Sequence, residues 1–356
     1  MKILMTTDCV GGVWTYSVDL ATYLEREGHE VFIAAMGGSL TDSQRKQLER
    51  IGLLGWEFRP LALEWMPGAW SDVDAAGEWL LTLANLHDVD LVHLNGFSHG
   101  SLEWGRRIVV VAHSDVVTWW RSVEHREPPP EWDEYRARVT NGLRAADLVV
   151  APTRAMLNGL ADAYRFATPS VVIPNARSAN APAAITKEPL MVSAGRVWDP
   201  AKNLQAAAAA ARDLDWPLVV AGSGDMPGVR SLGPLDAEDV AALFARASIF
   251  VEPALYEPFG LAALEAAIAG CALVLGDIPS LREVWENAAT YVAPEDDDAL
   301  AHTLDGLIRN QATLVERQAA ARRRAARYSM SSTGGAYAAC YETLFEPVTG
   351  SVGGRP

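Results

Sequence analysis

The first 36 residues already restrict the fold. Residues 2–6 form an apolar run of the length of a buried strand, residues 13–27 space their apolar side chains as an amphipathic helix does, and residues 31–36 are apolar again. Asp8-Cys9-Val10-Gly11-Gly12 makes the turn into the helix, and Gly28-His29-Glu30 closes it. Two strands joined through a helix lie parallel, and parallel strands need both sheet faces covered, so this βαβ unit predicts an α/β layer fold. The alternation continues with strands expected at 90–94, 108–112, 148–151 and 171–173, and helices at 42–51, 74–86, 134–145 and 153–164.

Between Asn175 and Pro189 the chain turns small, Pro-rich and aperiodic, which reads as a linker over 176–189. The alternation then restarts. Strands are expected at 190–194, 218–221, 249–251, 272–275 and 290–292, and helices at 202–213, 237–245, 261–269 and 298–309. A chain of 356 residues is too long for one ordinary core. It suits two domains, 1–175 and 190–330, each an open doubly wound sheet, facing each other across a cleft lined by carboxyl ends of strands. The tail from 313 to 345 is helical with a break near Tyr328-Ser329.

With 45 acidic against 30 basic residues the formal charge is -15, which argues against nucleic acid as a partner. At most it allows peripheral membrane contact through a local patch such as Arg45, Lys46 and Arg50. No apolar run approaches the roughly 18 residues of a bilayer span, and Met1 leads straight into a strand-like segment, so a cytoplasmic location is expected. Cys9, Cys271 and Cys340 lie far apart among small or apolar neighbours and read as reduced core thiols without metal-ligand spacing.

Residues 261–269 are apolar all round except for Glu265. An unpaired carboxylate there costs several kcal/mol, about enough to demand a partner, which is either an Arg from elsewhere or a ligand. Before it, Pro258 stiffens the chain, Gly260 allows close approach, and the free N–H groups of the first helical turn can hold an anion. Gly195-Arg196 ends a strand, and Lys202 follows at the start of the next helix; the two cations can converge on one diphosphate or simply stay solvated. Gly11-Gly12 permits close backbone approach but lacks the three-glycine dinucleotide pattern, and a plain tight turn explains it equally. His113, after the strand at 108–112, points to the cleft edge, with Asp115 near it; His93 and Asn95 end another strand. Trp65, Trp70, Trp119 and Trp120 can stack on a sugar or merely pack. Asp72-Val73-Asp74 and Asp88-Val89-Asp90 imitate a metal-binding Asp-x-Asp, yet they fit a helix first turn and a strand start.

Two glutamates, Glu257 and Glu265, with Pro258-Phe259-Gly260-Leu261 between them and a small-residue helix after, resemble the signature of retaining nucleotide-sugar glycosyltransferases of the GT-B fold, the large family numbered four. The resemblance covers nearly the whole chain and is most specific in its second half. It implies two Rossmann-like doubly wound domains facing a central cleft, with a last helix at about 331–346 crossing back onto the first. It gives Glu257 the hydroxyls of the donor sugar and Glu265 the ribose diol. It gives Arg196 and Lys202 the departing diphosphate, the Gly11-Gly12 loop donor and acceptor, and His113 the donor sugar or the acceptor. Gly222, in Ala221-Gly222-Ser223-Gly224, matches a turn near the nucleotide, and Glu283 a further acidic position. The chain departs from the pattern at Pro279-Ser280 and at Asn175-Ala176-Arg177, where Asn-Gly-Val is common.

The activity so implied is transfer of a sugar from a UDP-, GDP- or ADP-sugar to a sugar, small-molecule or lipid-linked hydroxyl, with retention and without a metal. Replacing Lys202 with Ala is then expected to cost turnover by orders of magnitude with little loss of folding. Rival readings are a nucleotide-sugar epimerase or hydrolase on the same fold and a catalytically silent sugar-binding protein.

Overall fold

A computed structural model describes residues 1–177, 186–224, 226 and 229–346. The first sheet holds β1 (Lys2–Asp8), β2 (Glu30–Met36), β3 (Gly55–Arg59), β4 (Leu91–Leu94), β5 (Arg107–Val111), β6 (Leu148–Ala151) and β7 (Ser170–Val172). All seven are parallel, in the order β3-β2-β1-β4-β5-β6-β7. Its helices are α1 (Gly12–Arg26), α2 (Asp42–Glu49), α3 (Trp70–Leu86), α4 (Val116–Val123), α5 (Asp133–Ala145) and α6 (Arg154–Tyr164). They cover both faces. Leu4 of β1 packs with Phe32, Ala34 and Trp79 on one side, while Ile3 and Met5 pack with Leu20, Val31 and Ile33 on the other.

The second sheet repeats the plan with β8 (Glu188–Ala194), β9 (Leu218–Ala221), β10 (Arg230–Ser231), β11 (Ala247–Glu252), β12 (Ala272–Gly276) and β13 (Thr290–Val292). The order is β10-β9-β8-β11-β12-β13, again parallel throughout. Helices α7 (Leu204–Ala211), α8 (Ala237–Arg246), α9 (Leu261–Ile268), α10 (Pro279–Trp285), α11 (Asp297–Arg309) and α12 (Gln311–Ala325) flank it. Phe250 of β11 faces one layer, and Ile249 and Val251 the other.

In each sheet the strand order reverses once, between β1 and β4 and between β8 and β11. Loops leaving the carboxyl ends of such a pair diverge to opposite faces and leave a crevice between them. The chain crosses between the two domains at two adjacent points, where Arg177 bridges Ser329 and its N–H reaches the Tyr328 carbonyl. The middle of the expected linker, 178–185, lies outside the described residues. After the second crossing, α13 (Met330–Phe345) buries Tyr337 and Tyr341 in the core of the first domain. Gly334 lies flat on Tyr23, where a Cβ would come within 2.2 Å of the ring.

Strands β3 and β10 and helices α4 and α10 were not expected. α4 is rich in Val and Trp, and it is helical because Asp115 caps it, accepting from the N–H groups of Val117 and Thr118. β3 is a half-buried edge strand, so its signal is weak.

Candidate active site

The crevice of the second domain opens between the ends of β8 and β11. Gly195 and Arg196 follow β8 directly. Gly222, after β9, packs so closely on this turn that a Cβ would sit 1.8 Å from the Gly195 carbonyl oxygen, so its place in the site is to shape the Gly195-Arg196 turn. Arg196 binds Asp199 through Nη2 at 2.7 Å and lies 5.4 Å from the Trp198 ring centre, while its buried Nε–H has no partner among the described residues. A buried donor without an acceptor is what an incoming oxyanion would satisfy.

Lys202 ends a single 3₁₀ turn, Pro200–Lys202, and its ammonium sits between two carboxylates. Nζ donates to Glu252 Oε1 at 2.7 Å and to Glu257 Oε2. Burial alone would lower the pKa of Lys202, but the two carboxylates outweigh it and hold the ammonium charged. Glu252, the last residue of β11, is pushed up to about 7 by burial, with Lys202 opposing and Glu257 adding repulsion; its Oε2 is buried and unpartnered among the described residues. Burial works against ionised Glu257 too, yet Lys202 and the N–H groups of Phe259 and Gly260 keep it below the ordinary range. Those N–H groups, just before the helix, reach Glu257 Oε1 at 3.3 and 2.9 Å and are taken up there. What remains at the start of α9 is the first-turn N–H groups of Leu261, Ala262 and Ala263. Pro258 gives its carbonyl to Thr153 Oγ1 at 3.0 Å, and Phe259 is buried against Tyr328. Gly260 turns the chain into the helix at φ 89°, a left-handed conformation that favours glycine.

Glu265 has a protein partner. Arg177 Nε lies 2.7 Å from its Oε1, and Arg177 Nη1 lies 2.6 Å from Asp19 on α1. Burial raises the pKa of Glu265, against the pull of Arg177. Arg177 stands where the family pattern has Val, so this bridge between α1 and α9 belongs to this chain's own departure from the pattern.

The first domain presents its own switch point across the cleft. Gly11, at φ 92°, and Gly12 form the turn after β1, and a Cβ on Gly12 would be 3.3 Å from Leu261 Cδ1, so the loop lies against the start of α9. Asp8, at the end of β1, accepts from Val10 N–H at 3.0 Å and is pushed up to about 7 by burial, with Arg196 drawing it down. His113 is half-buried, and its Nε2 meets Asn95 Oδ1 at 2.8 Å; burial, then His93, push its pKa down to about 3, so the imidazole is neutral. The carboxylate of Asp115, two residues on, is taken up by the α4 cap and by Tyr164. Glu283 reaches into the first domain and caps α6 through the N–H groups of Arg154 and Ala155, at 2.6 and 2.9 Å.

Sequence reasoning missed Asp8, Glu252 and Arg177. The available signal was a carboxylate closing an apolar strand in the first two, and the departure from Val in the third. The Asp-x-Asp pairs are structural: Asp72 accepts from Ala62 N–H, Asp74 pairs with Arg138, Asp90 accepts from Lys2 N–H, and Asp88 approaches Arg106 at the surface. Trp70 and Trp120 lie under Arg138 and Arg126, and Trp119 donates to Asp199 across the cleft at 3.3 Å. Trp65 packs on the first core, and Arg45 covers Trp56. No helix among the described residues is long and apolar enough to cross a membrane.

A family profile described as Glycosyltransferase Family 4 matches residues 10–179, and one described as Glycosyl transferases group 1 matches residues 176–327. The chain is 37% identical over 120 residues to O-antigen chain mannosyltransferase B of Escherichia coli, covering 33% of this chain and 28% of that one. It is 43% identical over 97 residues to a glycogen synthase of Mycobacterium tuberculosis, covering 27% and 23%. These matches thus span about a quarter of the length of either relative. In fold, HepE of Anabaena in complex with UDP-glucose superposes with a TM-score of 0.78 at 18% identity, over 97% of this chain and all of that one.

Proposed function

The chain belongs to the family 4, group 1 glycosyltransferases of the two-domain GT-B fold, and from that premise we propose that it moves a sugar from a nucleoside diphosphate donor to an acceptor hydroxyl, with retention at the anomeric carbon. The observation that carries this reading is the meeting of Arg196, Lys202 and Glu257 at the β8/β11 switch point, with Gly12 of the facing domain against Leu261. The diphosphate would lie between the unpartnered Nε–H of Arg196 and the start of α9, near the Lys202 ammonium. Those charges answer the phosphates, so no metal is called for. Glu257 would take sugar hydroxyls and Glu265 the ribose.

Retention is proposed through front-face attack. The bond from the anomeric carbon to the acceptor oxygen forms on the face where the bond to phosphate breaks, and the acceptor proton passes to the leaving phosphate oxygen. Arg196 and Lys202 stabilise the charge that develops there, which is worth about 3 kcal/mol for one well-placed donor. UDP-glucose, present in the HepE complex, is the first donor to try, and the mannosyltransferase relative adds mannosyl donors.

The test is nucleotide release from UDP-, GDP- and ADP-sugars with and without sugar and lipid-linked acceptors. Release that depends on acceptor supports transfer. Equal release without acceptor would convert the reading to a hydrolase or epimerase, and binding without release to a silent sugar-binding protein.

A further inference from the structure

Behind His113 runs a chain of hydrogen bonds anchored on Asn95, with the Tyr16 hydroxyl a longer 3.4 Å from His93 Nε2. Asn95 Nδ2 donates to the Thr6 carbonyl at 2.7 Å and to Ser17 Oγ at 3.1 Å. A backbone carbonyl can only accept, so the amide cannot be turned round and Oδ1 is the acceptor. Two imidazoles share that oxygen: His113 Nε2 at 2.8 Å and His93 Nε2 at 3.1 Å. Both therefore carry their proton on Nε2. The groups packed around them are Tyr16 of α1, edge-on to His113 with ring centres 4.6 Å apart, and Tyr337 and Tyr341 of α13 beside His93. These phenols are neutral at ordinary pH, and burial pushes His113 to about 3 and His93 to about 4, so each ring holds one N–H only. His93 Nδ1 is then an acceptor, and Tyr341 donates to it at 2.6 Å. His113 Nδ1 is the one ring acceptor of the pair without a partner among the described residues.

We propose that Asn95, backed by His93 and by Tyr341 of the C-terminal helix, is the positioning residue that locks His113 as the Nε2–H imidazole and offers its Nδ1 to the cleft as acceptor for a hydroxyl of the bound sugar. The proposal rests on reading the cleft as a sugar-nucleotide site. Tyr341, on the helix that crosses back from the second domain, closes the polar chain from the back. Without that O–H, His93 Nδ1 would be buried and unsatisfied, and the ring would gain by flipping away from Asn95.

Nitrogen-15 NMR of the histidine rings in the whole protein tests the lock without substrate. The expected wild-type pattern at pH 7 is protonated Nε2 and unprotonated Nδ1 for both His93 and His113, and adding UDP-glucose should move Nδ1 of His113 but not of His93. A protonated Nδ1 on His113, or a mixture of tautomers, overturns the proposal. Asn95→Asp puts a carboxylate between the rings and should bring imidazolium formation at His113 into the range pH 5 to 8. Its kcat/KM should then fall at least tenfold from pH 8 to pH 6 beyond any wild-type change, because a protonated ring cannot accept. Tyr341→Phe should lower kcat roughly threefold to tenfold and shift His93 Nδ1. An Asn95→Asp enzyme with wild-type ring shifts and pH profile would refute the lock. Failure of the transferase reading would look different, leaving the wild-type tautomer in place with no turnover on any donor.

Discussion

Lys202→Ala separates catalysis from stability in a way the structure makes quantitative. The ammonium compensates two carboxylates whose side chains are only 1% and 14% exposed. Removing one member of such a buried cluster costs about 3 kcal/mol. The pH dependence follows from where the protons go. Glu252, pushed up to about 7 by burial against the pull of Lys202, loses that pull in the variant and is driven further toward its protonated form. Glu257, held below the ordinary range by Lys202, loses that hold, and burial then favours its protonated form against the Phe259 and Gly260 N–H groups alone.

A carboxyl that is ionised in the unfolded chain and protonated in the folded one gains about 1.4 kcal/mol of stability per unit fall in pH. The variant therefore takes up more protons on folding than the wild type does, and its deficit of about 3 kcal/mol should shrink as pH falls from 7 to 5. Urea unfolding of both proteins at the two pH values measures it. A deficit that is constant or grows as pH falls would refute the ion cluster described here. The expectation of nearly intact folding at neutral pH is therefore replaced by a substantial, acid-suppressed loss. At pH 5, where the variant is folded, turnover should still be down by about 10²–10³; wild-type turnover there would remove Lys202 from the mechanism.

Two further substitutions test neighbouring contacts. Arg177→Leu frees Glu265 and lets burial raise its pKa further, so the Kd for UDP by calorimetry should weaken about tenfold, more at pH 6 than at pH 8; tighter binding would mean that Arg177 competes with the ribose. Glu252→Gln removes a carboxyl whose folded pKa lies above its unfolded value of 4.5. Such a group loses stability as pH rises from about 4.5 to 7 and is flat above, so the wild type should lose roughly 3 kcal/mol over that window and the Gln variant much less.

The sequence disclosed most of the sheets because their strands are buried on both faces and read as apolar runs, and Leu148–Ala151, Leu218–Ala221 and Thr290–Val292 have the expected bounds. Elements whose helicity depends on a cap or whose strand is half exposed, such as α4 and β3, carried no periodic signal strong enough to read. In the site, Arg196 and Lys202 mark a strand end and a helix start that the sequence shows, and Glu257 joins them through the resemblance to the family signature. Glu252 could not, since its importance arises only when β11 brings it to Lys202. Arg177 was visible only as a departure from pattern, and its two carboxylate partners come from helices of different domains. Glu265 shows how the two readings merge: the Arg partner exists, and the ribose role remains a proposal about its other oxygen.

The central claim is that the paired cations at the β8/β11 crevice hold a nucleoside diphosphate. Calorimetric titration of wild type and Arg196→Ala with UDP, GDP and ADP tests it most directly. The account predicts that at least one of the three binds the wild type and binds the variant tenfold or more weakly, with the chain still folded. Absence of binding by all three to the wild type, or equal affinity in the variant, would contradict it.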